Sequence, residues 1–389
     1  MKKLTQVLIV ASLLSMPAMA LAEDAPAKPK IPIPALDDVL EAWGLSLSGY
    51  LDVSYSHLFQ SNGTFVGGTP SRVFDAQHDS FILHQAGFVL AKQPKEGFGG
   101  LINPTFGQDA DVIASFNQNP GSTTKVDLTQ AFIQYATGPY TAIGGKFVTL
   151  AGAEVINPTG NTNFSRSILF GYAIPFTHTG VRATYAPNDK FSVIGGVNNG
   201  WDQLQDANSS KTIEVGTALA PLKNLAITAQ GYFGREPLLI GPGGVVSATQ
   251  GFRSLIDVVV TYTATDKLTL ILNPDWGAQK NSAAFVPTGN NTARWYGIAG
   301  YGIYQFTDKW RGTLRGEFFS DKDGYRTGVV QNWKEATLTL AYLPNKNIEL
   351  RGEVRADRSN ATGGAFVRPD GISTSNNQNS VALEALFKF

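Results

Sequence analysis

The stretch Ser380 to Phe389 reads S-V-A-L-E-A-L-F-K-F. Successive side chains of a strand point to opposite faces, so Val381, Leu383, Ala385, Phe387 and Phe389 share one side. Ala382, Glu384, Leu386 and Lys388 share the other. One face is wholly apolar and ends in two aromatics, while its reverse carries two charges. A soluble antiparallel sheet can show the same alternation. The rest of the chain has to decide between a lipid-facing and a core-facing strand.

At the other end, Lys2 and Lys3 precede an apolar run from Leu4 to Met16 and a small-x-small site, Ala20-Leu21-Ala22. This is the form of a secretory signal peptide, residues 1–22. The run is shorter than the roughly 20 apolar residues a spanning helix needs. The chain has no Cys, which excludes a disulfide scaffold and a lipid anchor on cysteine. Removing Lys2 and Lys3 from 31 basic residues leaves 29 against 31 acidic ones, a near-neutral balance that does not point to nucleic acid. Beyond the signal peptide no apolar run approaches helix-spanning length. The strongest, Leu255 to Tyr262, carries Asp257. An exported chain with 41 Gly, abundant aromatics and only 16% charged residues favours β structure.

Residues 23–44 read as a periplasmic lead-in, Pro- and Ala-rich up to Pro34. Leu36, Val39, Leu40 and Trp43 would share a face if Leu36 to Trp43 were helical; an extended lead-in fits equally. From residue 45 to 389 alternating runs are separated by two kinds of connection. The short kind uses Pro, Asn, Asp, Gly and Lys, as in Pro187-Asn188-Asp189-Lys190 and Pro344-Asn345-Lys346-Asn347, and aromatics sit beside several of them. The long kind is rich in Asn, Ser, Thr and Gly. Short turns on one side, long loops on the other and interfacial aromatics predict an all-β transmembrane antiparallel barrel of about 16 strands, with 14 and 18 left open.

Two strands near the C-terminal end indicate the contents of that barrel. Arg311, Thr313, Arg315 and Glu317 lie on one face, as do Glu349, Arg351, Glu353, Arg355 and Asp357. A Lys or Arg facing mid-bilayer lipid costs about 2 to 4 kcal/mol, so these rungs are predicted to face inward and to border water. Lys146, Arg182, Glu214, Gln230 and Asp257 are further inward candidates. The arginines either pair with the interleaved carboxylates and stiffen the wall, or form a lane that favours anions.

The terminal strand resembles the last strand of bacterial outer-membrane barrels, and that resemblance makes Phe387 and Phe389 an assembly signal read by the barrel-assembly machinery. Leu150 to Thr177, the third long connection, leads through Glu154, Ile156, Asn161, Ser165-Arg166-Ser167, Pro175-Phe176 and His178-Thr179-Gly180. This order, with Gly49-Tyr50-Leu51-Asp52 near the start, resembles the OmpL-like putative β-barrel porins (type two). The resemblance implies an outer-membrane porin passing small hydrophilic solutes, with lipid around it. Porins in general imply a homotrimer, and a third loop that folds inward and places Glu154, Asn161 and Arg166 at a constriction.

Other functions read less well. Ser165, Ser167 and His178 invite an enzyme, but a lone structural His explains His178 better. Asp321-Lys322-Asp323-Gly324 lacks the distant Glu of a calcium loop and reads as a turn. No cofactor and no metal are expected. A sugar-specific channel would need an aromatic row along the lumen, whereas the clear aromatics fall near strand ends. An anion-specific channel, or a plugged barrel acting as adhesin or scaffold, completes the alternatives.

Overall fold

The computed structural model describes residues 35–115, 124–238 and 249–389. The expected signal peptide and most of the expected lead-in lie outside the described residues. Leu36–Trp43 forms a helix, α1, closed by Gly44 at φ 64°, and Leu36 and Trp43 on it are exposed. Of the two readings of this segment, the helical one holds.

Sixteen strands close into one barrel. The first eight are β1 (Ser46–Phe59), β2 (Phe81–Lys92), β3 (Gly97–Phe106), β4 (Val126–Thr137), β5 (Tyr140–Val148), β6 (Thr177–Asn188), β7 (Phe191–Asn198) and β8 (Thr212–Leu222). There follow β9 (Leu225–Pro237), β10 (Gln250–Thr265), β11 (Leu268–Lys280), β12 (Thr292–Thr307), β13 (Trp310–Asp321), β14 (Gln331–Asn345), β15 (Ile348–Ser359) and the C-terminal strand Asn377–Lys388. Each strand pairs antiparallel with its sequence neighbour, and the C-terminal strand closes on β1 with Leu51 opposite Phe387. An even number of strands puts both barrel ends on the short-turn side. A two-residue hairpin, Phe366–Val367 with Thr374–Ser375, decorates the last long connection. It has no alternating pattern long enough to be read beforehand.

The short turns close by the means their composition dictates. Asn188 accepts from the amide of Lys190 at 2.9 Å, and Asn345 from that of Asn347 at 2.9 Å, so each side chain imitates a backbone turn. On the C-terminal strand Val381, Leu383 and Phe387 are exposed on the outside while Ala382, Glu384 and Leu386 are buried within. Trp310 and Tyr342, Tyr140 and Tyr185, and Phe98 and Tyr135 pair along the short-turn rim, and Tyr55 with Phe81 lies near the opposite one. Such girdles sit at the two water–lipid boundaries.

The seam is locked by a glycine. Gly49 and Phe389 exchange both backbone hydrogen bonds at 3.0 Å, and a Cβ on Gly49 would lie 2.2 Å from the Phe389 ring. Gly49→Leu therefore lifts that ring off β1, an overpacking worth about 1 to 3 kcal/mol. The folded, heat-modifiable electrophoretic band should convert at a lower temperature than in the parent. An unchanged conversion temperature contradicts the packing described.

Candidate functional site: the loop inside the barrel

The alternation that turns apolar side chains of β13, β14 and β15 outward necessarily turns Arg315, Glu317, Glu335, Arg351, Glu353 and Arg355 inward. All six are buried. The sequence predicts water beside these rungs; in the structure residues 149–176 run across the interior and meet them. The connection leaves β5 and returns to β6, and in the ring order β13 lies on the opposite wall.

Its course is fixed residue by residue. The amide of Gly152 donates to Asp257 on β10 at 3.0 Å, and that of Ala153 to Asn273 on β11 at 2.9 Å. Glu154 then accepts from Arg315 of β13 at 2.8 Å and from the Ser167 amide at 2.7 Å. Asn161 folds back on Val155, whose amide it accepts at 2.9 Å and whose carbonyl it meets at 2.7 Å. The Asn161 carbonyl takes a 2.6 Å bond from Arg351 of β15. Glu353 accepts the successive amides of Phe164 and Ser165, at 2.8 and 3.0 Å. Glu317 does the same for Ile168 and Leu169, at 3.0 and 3.2 Å. A loop away from water must find partners for its backbone, and here the wall carboxylates supply them.

Arg315 is the centre of the arrangement. Besides Glu154 it holds the Ser165 carbonyl at 2.6 Å and Glu335 at 3.1 Å, and lies 3.3 Å from Glu317. Arg351 pairs with Glu349 at 2.6 Å and Glu384 at 2.9 Å, while Arg355 pairs with Asp357 and donates to the Arg166 carbonyl, at 2.9 and 2.8 Å. Arg311 bonds Glu349, Lys146 bonds Asp127 at 2.9 Å, and Arg182 bonds Glu214 at 2.9 Å. These arginines and Lys146 all meet carboxylates. Arg166 donates to its own loop, to the Ile156 and Phe164 carbonyls at 2.9 and 3.1 Å, and lies over the Phe74 ring.

An apolar cluster lies at the long-loop end of the barrel. Phe170, Tyr172 and Phe176 of the loop pack with Phe65 and Phe74 of the first long connection and with Trp295 and Trp333 of the wall. Arg72 ties the first connection to Asp357 at 2.7 Å. The wall aromatics of this cluster lie near strand ends, Trp295 three residues into β12 and Trp333 two residues into β14, and loop aromatics cover them. Ser165 takes its bonds from Arg315 and Arg355, Ser167 accepts the Phe170 amide, and His178 stacks on Tyr232 at 4.6 Å. Asp321 accepts the amides of Tyr325, Arg326 and Thr327, which makes the Asp-Lys-Asp-Gly segment a turn.

Glu335, Glu384, Asn273, Asn163 and Tyr301 belong to the site and are absent from the sequence-based set. Glu384 was legible, because it lies opposite the apolar face of the terminal strand, and Glu335 by the same alternation, on the face opposite Leu338 and Leu340. Asn163, which donates to Thr339 at 2.6 Å, sits in irregular chain where no period applies.

The family model described as "Putative beta-barrel porin-2, OmpL-like" matches residues 44–389. No curated protein sequence matches the chain. Among solved structures, the outer membrane channel DcaP of Acinetobacter baumannii superposes with a TM-score of 0.60 at 14% identity, covering 89% of this chain and 97% of that one. OmpT of Vibrio cholerae gives 0.59 at 14% identity, with 89% and 97% covered. The anion-selective porin from Comamonas acidovorans gives 0.60 at 11%, with 89% and 99% covered. At such identities the likeness is one of fold.

Proposed function

Because the chain belongs to the putative beta-barrel porin-2, OmpL-like family, and is thus a porin of the bacterial outer membrane, we propose that it passes small hydrophilic solutes passively, with an interior that favours cations. One observation carries the second clause. Among the described residues seventeen Asp and Glu are buried against nine Lys and Arg, an excess of eight carboxylates. In a low-dielectric enclosure that excess attracts cations and repels anions. It favours the preference opposite to the anion lane, since Arg311, Arg315, Arg351 and Arg355 are occupied by carboxylates and loop carbonyls. Residues 149–176 act as the constriction, with Glu154 and Asn161 as its fixed points and Arg166 as its internal brace.

Reversal potentials of the refolded protein in a planar bilayer under a KCl gradient test this. The expected sign is that of potassium; the sign of chloride overturns the cation preference. The apolar cluster under the long loops favours a second reading, a barrel closed in its resting state with a scaffold role. Absence of both conductance and liposome swelling selects it. Lipid around the apolar outer face and the barrel-assembly machinery at the seam are the proposed partners. A homotrimer is proposed too, and OmpT, one of the neighbours, has a trimer form. No catalytic activity is proposed.

A further inference from the structure

Six of the nine buried basic side chains meet a carboxylate within 4 Å; Arg253, Arg326 and Arg166 do not, among the described residues. Arg166 is absorbed by the carbonyl oxygens of its own loop. Arg253 on β10 and Arg326 on the connection 322–330 lie together. Both guanidiniums approach the Trp201 ring, at 4.8 and 5.8 Å, and Arg326 also lies 5.4 Å from that of Trp295. Two like charges against one indole are placed where ordinary pairing would separate them. Burial, and after it the Arg253 charge, lower the Arg326 guanidinium to about 10.

The nearby carboxylates Asp202, Glu236 and Asp321 act on the two arginines through their charge, but the hydrogen bonds they accept come mainly from elsewhere. Asp202 accepts the Phe176 and Thr177 amides, Glu236 the Trp201 amide and the Thr212 hydroxyl, and Asp321 the turn amides already described. Arg253 uses its Nε on Gln279 and its Nη2 on Pro237 and Tyr325, but its Nη1 has no partner. Trp201 Nε1 has none either, and these two side chains are 1% and 2% exposed. Orphaned donors at such depth are destabilising, the more so when charged. Two unmet N–H groups beside two cations ask for an acceptor that bears negative charge.

We propose that Arg253, Arg326 and Trp201 form a receptor for a small oxyanion, a carboxylate or a phosphate, at the long-loop mouth of the barrel. The guanidiniums supply charge and forked donors, Trp201 Nε1 supplies a third direction, and the indoles exclude water. Arg326 also donates to the Tyr172 carbonyl of the inner loop, so occupancy touches that loop. The receptor does not depend on conduction and is tested without it.

The test is intrinsic tryptophan fluorescence of the refolded full chain in detergent, titrated with potassium phosphate, potassium acetate and potassium chloride at constant ionic strength. A saturable change with phosphate or acetate, absent with chloride, is expected, and the stronger of the two names the ligand class. Trp201→Phe keeps a ring and removes the N–H, and should weaken the midpoint about tenfold, with Trp295 still reporting. Arg253→Gln should abolish saturation; if that variant does not refold, Trp201→Phe decides alone. Identical responses to the three salts, or a parental midpoint in Trp201→Phe, overturn the receptor.

Discussion

Deleting Asn157 to Phe164 raises single-channel conductance by about twofold or more, because pore resistance is set at the narrowest section. The deleted segment carries Asn161 and the backbone groups that meet Arg351 and Glu353 on β15. Its removal withdraws the limb of the inner loop that reaches the far wall. The flanking anchors, Gly152 on Asp257 and Ile168 on Glu317, stay in place, so the shortened loop keeps its attachment on β10 and β13. Planar-bilayer recordings of parent and variant at one salt concentration give the comparison. Equal conductance sinks the constriction, whatever the selectivity proves to be.

Replacing Arg315 has the largest expected effect on stability. Arg315 is fully buried and holds Glu154, Glu335 and the Ser165 carbonyl, with Glu317 close by. Arg315→Gln leaves three carboxylates facing one another without their shared cation, and breaking a buried network from one side costs about 3 to 5 kcal/mol. Denaturant unfolding of the variant in detergent should show that loss, with a noisier open-channel current as the loop loses its central anchor. Adding Glu154→Gln should return part of it, because the two changes remove partners of one interaction and are not additive. A cost below about 1 kcal/mol would mean that water already screens the cluster.

Both expectations rest on a contact between sequence-distant segments, and this is where reading the chain reached its limit. The strands were legible because a period of two is imposed by backbone geometry and filtered by solvent on each side of the wall. Val381, Leu383 and Phe387 must meet lipid, so Glu384 must not. The turns were legible because Asn188 and Asn345 act on their own backbone two residues away. The inward direction of Arg315, Arg351 and Arg355 followed from the same alternation.

What the rungs face did not follow. Period and composition state only that a charge cannot lie in lipid; water, a counter-charge and a loop backbone all satisfy that condition. The tertiary structure combined the second and the third, pairing Arg315, Arg351 and Arg355 with carboxylates and bringing amides 164, 165, 168 and 169 to Glu353 and Glu317 across the width of the barrel. The Arg253–Trp201–Arg326 group likewise joins β10 to two separate long loops, at positions that share no local rule. Local alternation and turn chemistry fixed the wall and its polarity. The filling of the lumen depended on closure of the ring, which alone sets which segments stand opposite one another.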